Sequence, residues 1–284
     1  MIETRLTLVE GMPTDARTRL AQRIAIQLGA EAIDHELCHT GSRGHPLRRP
    51  WVAGDYAGPG AFMDTLVLQW ENFATRAATE NRVRVFDAAL LDAPAALLRD
   101  EAITTEEAER FAVRLMAAIE PLAPVLLYVW DAESADARLR ACGDGLFGRL
   151  QSHRGLLNAA RASEEELLRD ALGLLGMAAR NVELNADLAE QLAGRYAPAG
   201  TPVDAASTTL LITPEGPRLL GLPGAPESAP LPLLPTHDGR LLVAGVDLAL
   251  RPTRAPSGAL AGLLLETDDP GLPDFPPFLA RIGD

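Results

Sequence analysis

Residues 11–18 read Gly-Met-Pro-Thr-Asp-Ala-Arg-Thr. A short apolar run leads into this stretch, and an amphipathic helical pattern follows it over residues 15–29. A strand, a loop that begins with glycine and a helix, in this order, are the setting of a phosphate-binding loop, Gly-x-x-x-x-Gly-Lys-Ser/Thr. Here Gly11 and Thr18 match, but Ala16 replaces the second glycine and Arg17 replaces the lysine. The stretch predicts a strand–loop–helix unit whose anion-binding loop has changed.

Strand-like and helix-like patterns alternate over residues 1–198, which predicts an α/β domain with a parallel sheet flanked by helices. The predicted strands cover residues 5–10, 31–37, 83–87 and 124–130. The predicted helices cover residues 15–29, 60–79 and 105–120. A capping box of Ser163 with Glu166 predicts a further helix to about residue 177. A brief strand at 182–184 and a helix that reaches Tyr196 complete the predicted domain.

The composition and pattern of the sequence change after residue 198. Proline and glycine become frequent, and short β-type runs at 207–213, 241–246 and 263–267 are separated by turn signals. These features predict a small antiparallel β region over residues 199–284.

Composition limits the classes of partner. The chain has 284 residues and a net charge of −13, which argues against nucleic acid or an anionic membrane, because both require a basic face. The two cysteines, Cys38 and Cys142, give no disulfide framework and fit a reducing cytoplasm. No apolar run reaches the roughly 18–20 residues that span a bilayer. We therefore expect a cytoplasmic protein with no membrane partner.

Four segments resemble a family of bacterial P-loop kinase-like proteins. Residues 8–13 (Leu-Val-Glu-Gly-Met-Pro) match the start of that family, which continues Gly-Ser-Gly-Lys-Ser/Thr. Residues 45–50 are similar to its His-Pro-apolar segment, and residues 83–87 and 121–128 are similar to its next two strands. The resemblance implies a P-loop NTPase fold, a phosphate held by residues 11–18 and a magnesium ion held by Thr18.

The loop departs from the family where phosphate would bind. Glycines let backbone N–H groups curl around a phosphate, whereas Thr14 and Ala16 carry side chains at two of those positions. Asp15 replaces a neutral serine, and its carboxylate would repel phosphate if it pointed inward. The planar guanidinium of Arg17 cannot take the compact ammonium position. These changes argue against ATP and Mg²⁺ as cofactors, and the sequence does not identify another cofactor.

Two acidic residues follow the third predicted strand. Asp87 ends that strand, at the edge where α/β sheets bind ligands. In related kinases such a carboxylate handles magnesium or takes the acceptor hydroxyl's proton, although Asp87 could instead cap the following helix. Asp92 either shares this pocket or lies on a solvated helix face, and we favour the solvated face.

Residues 35–39 read His-Glu-Leu-Cys-His, the letters of a zinc-binding His-Glu-x-x-His motif. That motif requires a helix, and the strand-like residues before it and the Thr-Gly-Ser-Arg-Gly after it leave no room for one. We therefore predict no metal site. Glu36 and His45 are candidates for contacting a substrate beside the second strand, or they belong to a polar loop.

Arginines concentrate in the glycine-interrupted segment 133–160, where P-loop kinases carry a lid. Arg138 and Arg149 could clamp an anionic ligand there, as lid arginines clamp phosphates. The alternative is a helix with a solvated basic face.

Three functions stay open at this point. We favour a repurposed enzyme that acts on a small organic molecule by chemistry other than phosphoryl transfer, with an anionic substrate left open. The alternatives are an active small-molecule kinase in which Arg17 replaces the lysine, and a pseudokinase that serves as a binding or scaffold subunit. A homodimer is also left open. The predicted catalytic residues are Asp87, Arg17 and Glu36. The predicted ligand-binding residues are Gly11, Thr14, Asp15, Thr18, His45, Arg138 and Arg149.

Overall fold

The chain divides into two compact units, Met1–Ala179 and Arg180–Asp284. The computed structural model describes residues 4–11, 15–39, 45–46, 55–90, 92–130, 156–158, 163–198, 208–213, 216–220, 231–267 and 277–282.

The first unit is built on a five-stranded parallel sheet. Its strands are β1 (Leu6–Gly11), β2 (His35–His39), β3 (Val83–Asp87), β4 (Val125–Trp130) and β5 (Leu156–Asn158), in the order β2-β3-β1-β4-β5. The inner strands β1 and β3 are buried along almost their whole length, as expected when helices cover both faces of a parallel sheet. The predicted α/β architecture with a parallel sheet is thereby confirmed.

Helices cover both faces of this sheet. They are α1 (Asp15–Ala30), α2 (Pro59–Ala77), α3 (Asp92–Arg99), α4 (Thr105–Ile119) and α5 (Glu164–Leu174). Helices α1 and α5 share one apolar core with Val9 of β1, while α2, α3 and α4 share another with Leu6 and Leu8. The predicted capping box of Ser163 and Glu166 is confirmed at the start of α5. No helix in the described part of the chain is both long enough and apolar enough to cross a membrane.

Strand β2 lies later in the sequence than predicted. After α1 ends, the N–H groups of Ala32 and Ile33 bond back to the carbonyls of Gly29 and Leu28, and Ala32 adopts a positive φ of 56°. These residues therefore complete the end of the helix and cannot begin a strand. The strand runs from His35 to His39 and so ends two residues beyond the predicted boundary at residue 37. His39 had therefore been left in the following loop.

The second unit is an antiparallel sheet of eight strands that closes on itself. The strands are β6 (Gly194–Pro198), β7 (Thr208–Thr213), β8 (Gly216–Leu220), β9 (Leu231–Pro235), β10 (Leu241–Val243), β11 (Ala249–Arg254), β12 (Leu260–Glu266) and β13 (Phe278–Ile282). Pairing of β9 with β10 completes the closure. Apolar side chains including Tyr196, Leu219, Leu250 and Leu263 fill the core. The predicted antiparallel β region is confirmed, and its closure was not predicted.

The division between the units falls earlier than the predicted residue 198. Helix α6 (Ala186–Leu192) buries Leu192 in the core of the closed sheet, and β6 pairs with β7 and β13. The predicted helix is present as α6, but it ends at Leu192, and Tyr196 lies in β6. The predicted strand at 182–184 is wrong, because residues 180–185 form no regular structure. The Tyr196 hydroxyl donates a 2.5 Å hydrogen bond to the Leu192 carbonyl, which caps the end of α6.

Candidate functional site

The carboxyl ends of β1 and β3 lie side by side, and the connections that follow them run in opposite directions across the sheet. Strand β1 continues through α1 towards β2 on one face, whereas β3 continues through α3 and α4 towards β4 on the other. Connections that diverge from neighbouring strands open a crevice at the carboxyl edge, where α/β proteins place ligands. We call this place the β1/β3 edge. Its polar side chains are Glu10, Arg17, Thr18, His39, Asp87 and Asp92.

Gly11 ends β1 at this edge in a conformation that other residues rarely adopt. Its φ is +122°, and a Cβ built on it would lie 2.0 Å from the carbonyl oxygen of Val129 in β4. Only glycine allows the two backbones to approach this closely. The Gly11 carbonyl also accepts a 3.1 Å hydrogen bond from Nη1 of Arg17, so the end of β1 contributes an oxygen to the polar network.

Asp87 is the centre of that network. Its Oδ1 accepts a hydrogen bond from Nε of Arg17 at 2.9 Å, and its Oδ2 accepts one from the Thr18 hydroxyl at 2.6 Å. Burial opposes ionisation of this carboxyl, but the hydrogen bond from His39, the charge of Arg17 and the Thr18 hydroxyl outweigh burial and lower its pKa. Asp87 is therefore an ionised, fully engaged carboxylate. It does not cap α3, which begins five positions later at Asp92.

His39 lies against the same carboxylate. Its Nδ1 is 3.1 Å from Oδ2 of Asp87. An ionised carboxylate can only accept, so the imidazole must carry its proton on Nδ1 to make this hydrogen bond. In the neutral imidazole, Nε2 is then the nitrogen that can take up a proton. The pair has the geometry of a general base held in one tautomer by a carboxylate.

Arg17 is enclosed by oxygen atoms and is only 8% exposed. Besides Asp87 and the Gly11 carbonyl, its Nη1 lies 3.5 Å from Oδ1 of Asp92, whose side chain is 36% exposed. Burial raises the pKa of Asp92; the charge of Arg17 opposes this change, and the charge of Asp87 adds to it. Asp92 thus combines the two alternatives: its side chain stays partly solvated, as favoured, and also faces Arg17 at the β1/β3 edge.

Glu10 is a buried acid that the sequence analysis did not assign to the site. Its Oε1 accepts hydrogen bonds from the backbone N–H groups of Ala89 at 3.0 Å and Leu90 at 2.6 Å, and the residue is 0% exposed. Burial, followed by the charge of Asp92, raises the pKa of Glu10 to about 7, although both backbone hydrogen bonds and Arg17 oppose the change. Glu10 thus occupies two N–H groups that could otherwise bind an anion.

Glu36 does not join this group. It precedes His39 by three positions on β2, a distance of about 10 Å along a strand. Its Oε2 instead lies 3.3 Å from Nε of Arg84 and 3.9 Å from Nη1 of Arg82. The structure therefore gives Glu36 a place in an ion-pair network with the buried Arg84 and the partly exposed Arg82, and places His39 where a carboxylate of β2 had been expected.

His45 is buried against the residues that end β3 and follow it. Its Nε2 donates a 3.2 Å hydrogen bond to the Ala88 carbonyl, and its ring packs edge-on against Phe86 and Trp70. The residue is 1% exposed, so it supports the loop that follows Asp87. Among the other predicted ligand-binding residues, Thr14, Arg138 and Arg149 lie outside the described residues, and Asp15 begins α1 without a described side chain.

The residues at the β1/β3 edge do not fit the ATP and Mg²⁺ that the P-loop resemblance implies. In P-loop enzymes, a lysine reaches towards the β- and γ-phosphates, and a Ser/Thr hydroxyl with a carboxylate holds magnesium. Here Arg17, at the position of that lysine, is turned inward onto Asp87. The Thr18 hydroxyl donates to the same carboxylate. Both groups are therefore committed to contacts within the protein.

Within the described ranges, no three His, Cys, Asp or Glu side chains come together in a way that could hold a metal ion. Comparison with known proteins adds no assignment: no protein-family model matches the chain, and no curated protein matches it significantly.

Proposed function

We propose that this chain is a small-molecule enzyme that uses His39 as a general base and acid at the β1/β3 edge, without phosphoryl transfer from ATP. The observation that carries the proposal is the hydrogen bond between His39 and Asp87. An imidazole backed by an ionised carboxylate can accept a proton from a substrate and return it later in the reaction.

The surroundings of Asp87 support this role. Arg17 and Thr18 fix both carboxylate oxygens, so the carboxylate can hold the His39 ring in one orientation. As the imidazole gains a proton, the nearby negative charge stabilises the imidazolium. Arg17 would then act as a positioning residue, and Asp87 would orient the base.

The charges at the edge bear on the class of substrate. Two carboxyl groups, those of Asp87 and Asp92, lie within 3.5 Å of the Arg17 guanidinium, and a third, that of Glu10, interacts with its charge. This balance does not favour an anion at the described part of the edge. Attraction of an anionic substrate would depend on residues such as Arg138 and Arg149.

The kinase alternative draws support from one contact. The Thr18 hydroxyl lies 2.6 Å from Asp87, and a hydroxyl and a carboxylate are the pair that holds magnesium in P-loop enzymes. For phosphoryl transfer, however, Arg17 would have to leave both Asp87 and Asp92. We therefore expect Mg-ATP and Mg-GTP to leave the melting temperature unchanged. A rise that Arg17→Ala abolishes would favour the kinase instead.

Turnover of a metabolite mixture tests the proposed function directly. The purified protein would be incubated with a cell extract freed of nucleotides, and mass spectrometry would identify the compounds consumed and formed. We expect His39→Gln to lower the rate of the reaction so identified by at least about 100-fold, because a general base contributes that much or more.

His35→Gln is the matched control for this experiment. His35 lies on the same strand, and its Nδ1 bonds to the Ile33 carbonyl at 2.9 Å, away from Asp87. This variant should retain full turnover. The proposal fails if His39→Gln is as active as His35→Gln, or if turnover appears only when ATP is added.

A further inference from the structure

The guanidinium of Arg17 occupies a position lined by oxygen atoms. Oδ1 of Asp87 lies 2.9 Å from its Nε, and the Gly11 carbonyl oxygen lies 3.1 Å from its Nη1. Oδ1 of Asp92 lies 3.5 Å from the same Nη1. With 9% of its side chain exposed, Arg17 is enclosed by these groups.

These oxygens are the kinds of ligand that hard divalent cations select. Mg²⁺ and Ca²⁺ bind carboxylates, backbone carbonyls and water, and Mg²⁺ needs only one or two carboxylates from the protein. Asp87 and Asp92 supply two carboxylates, and Gly11 supplies a carbonyl. The position is therefore chemically suited to a cation, and the guanidinium of Arg17 is the cation that occupies it.

We propose that Arg17 is a built-in cation that takes the place of a divalent metal ion between Asp87 and Asp92, and that removing its guanidinium converts this position into a divalent-cation site. The side chain then has two effects: it neutralises the carboxylates, and it excludes a metal ion. The inference concerns the same edge as the proposed function but does not depend on the proton transfer by His39.

Metal titrations of the full chain test this inference. Wild type and Arg17→Gln would be melted with Mg²⁺ or Mn²⁺ against sodium chloride of matched ionic strength. We expect no specific response from wild type. For Arg17→Gln we expect a rise in melting temperature of roughly 5–10 °C at about a 100-fold excess of metal over its Kd. Titration with Mn²⁺, followed by its electron paramagnetic resonance signal, would measure binding directly.

Two further variants test whether the metal ion binds at the position of the Arg17 guanidinium. Arg17→Lys keeps a positive charge at this position and should remain unresponsive to metal. Arg17→Gln combined with Asp92→Asn removes one proposed ligand and should lose the response gained by Arg17→Gln. If Arg17→Gln does not fold alone, recovery of its circular dichroism on addition of Mg²⁺ or Mn²⁺ supports the inference, and failure to recover with either ion counts against it.

The inference is overturned if wild type binds Mn²⁺ as tightly as Arg17→Gln does. It is also overturned if Arg17→Gln gains no metal response, or if Arg17→Lys gains the same one. None of these outcomes bears on the turnover experiment, because metal binding is measured without a substrate. Conversely, loss of the proposed acid–base role would leave the metal titration unaffected.

Discussion

Gly11→Ala is expected to lower the free energy of unfolding of the parallel-sheet unit by at least about 4 kcal/mol. The added Cβ would lie 2.0 Å from the carbonyl oxygen of Val129 and 3.0 Å from its carbonyl carbon. Both are backbone atoms, and Gly11 is paired with Val129 in the sheet. Relief would therefore require β1 and β4 to separate, in addition to the cost of the positive φ.

Guanidinium chloride unfolding followed by tryptophan fluorescence is a suitable measurement, because Trp51, Trp70 and Trp130 all belong to the first unit. Gly60→Ala is the matched control. Gly60 lies in the first turn of α2, and a Cβ there would meet no heavy atom within 4 Å. This control should stabilise the unit by about 0.5–1 kcal/mol. Equal denaturation midpoints for Gly11→Ala and wild type would contradict the expected clash.

Features of the fold that depend on neighbouring residues could be predicted from the sequence. Strand β3 was predicted with its observed bounds, Val83–Asp87, because a short apolar run ends there in a carboxylate. The Ser163 capping box depends on residues three positions apart and was likewise predicted. The closure of the second sheet depends on the pairing of distant strands, which no local pattern specifies.

The site was predicted only in part, because its contacts join residues that are far apart in the sequence. Asp87 and Arg17 were both singled out, but their contact joins residues 70 positions apart. The register of β2 with β3 sets His39 opposite Asp87, so an error of two residues at the end of β2 concealed the pair. For Glu10 a local signal did exist. It shares the alternation of Leu6 and Leu8, which predicts a carboxyl group buried among apolar residues.

The buried Glu10 carboxyl is expected to make the stability of the first unit fall as pH rises. The pKa of Glu10 is raised from its ordinary value of 4.5 to about 7 in the folded protein. Between these two values the folded chain retains a proton on Glu10 that the unfolded chain has released. The free energy of unfolding therefore decreases across this interval, by on the order of 3 kcal/mol, and the stabilisation is absent above about pH 7.

Glu10→Gln should remove this pH dependence. Its amide oxygen can accept the hydrogen bonds that Oε1 of Glu10 accepts from Ala89 and Leu90, and the amide stays uncharged at every pH. We expect the variant to match wild type near pH 4 and to exceed its stability above pH 7. Denaturant midpoints measured across this range would show the difference. Among the described residues, the charge of Asp92 raises the pKa of Glu10 and that of Arg17 lowers it, so Asp92→Asn should reduce the slope without removing it.

Glu71→Gln makes the same chemical change on the exposed side of α2 and is the control: it is expected to leave the wild-type slope in place.

Asp87 changes the stability with pH in the opposite direction. Its pKa lies below the ordinary value of 3.8, so its stabilisation is present above that pH and is lost as the pH falls. The interval of Asp87 lies below that of Glu10, whereas Asp92, whose pKa is also raised, contributes a decrease of the same sign as Glu10. The difference in slope between wild type and Glu10→Gln from pH 4.5 to about 7 therefore reports on Glu10. If Glu10→Gln retains the wild-type slope there, Glu10 is not the group that titrates.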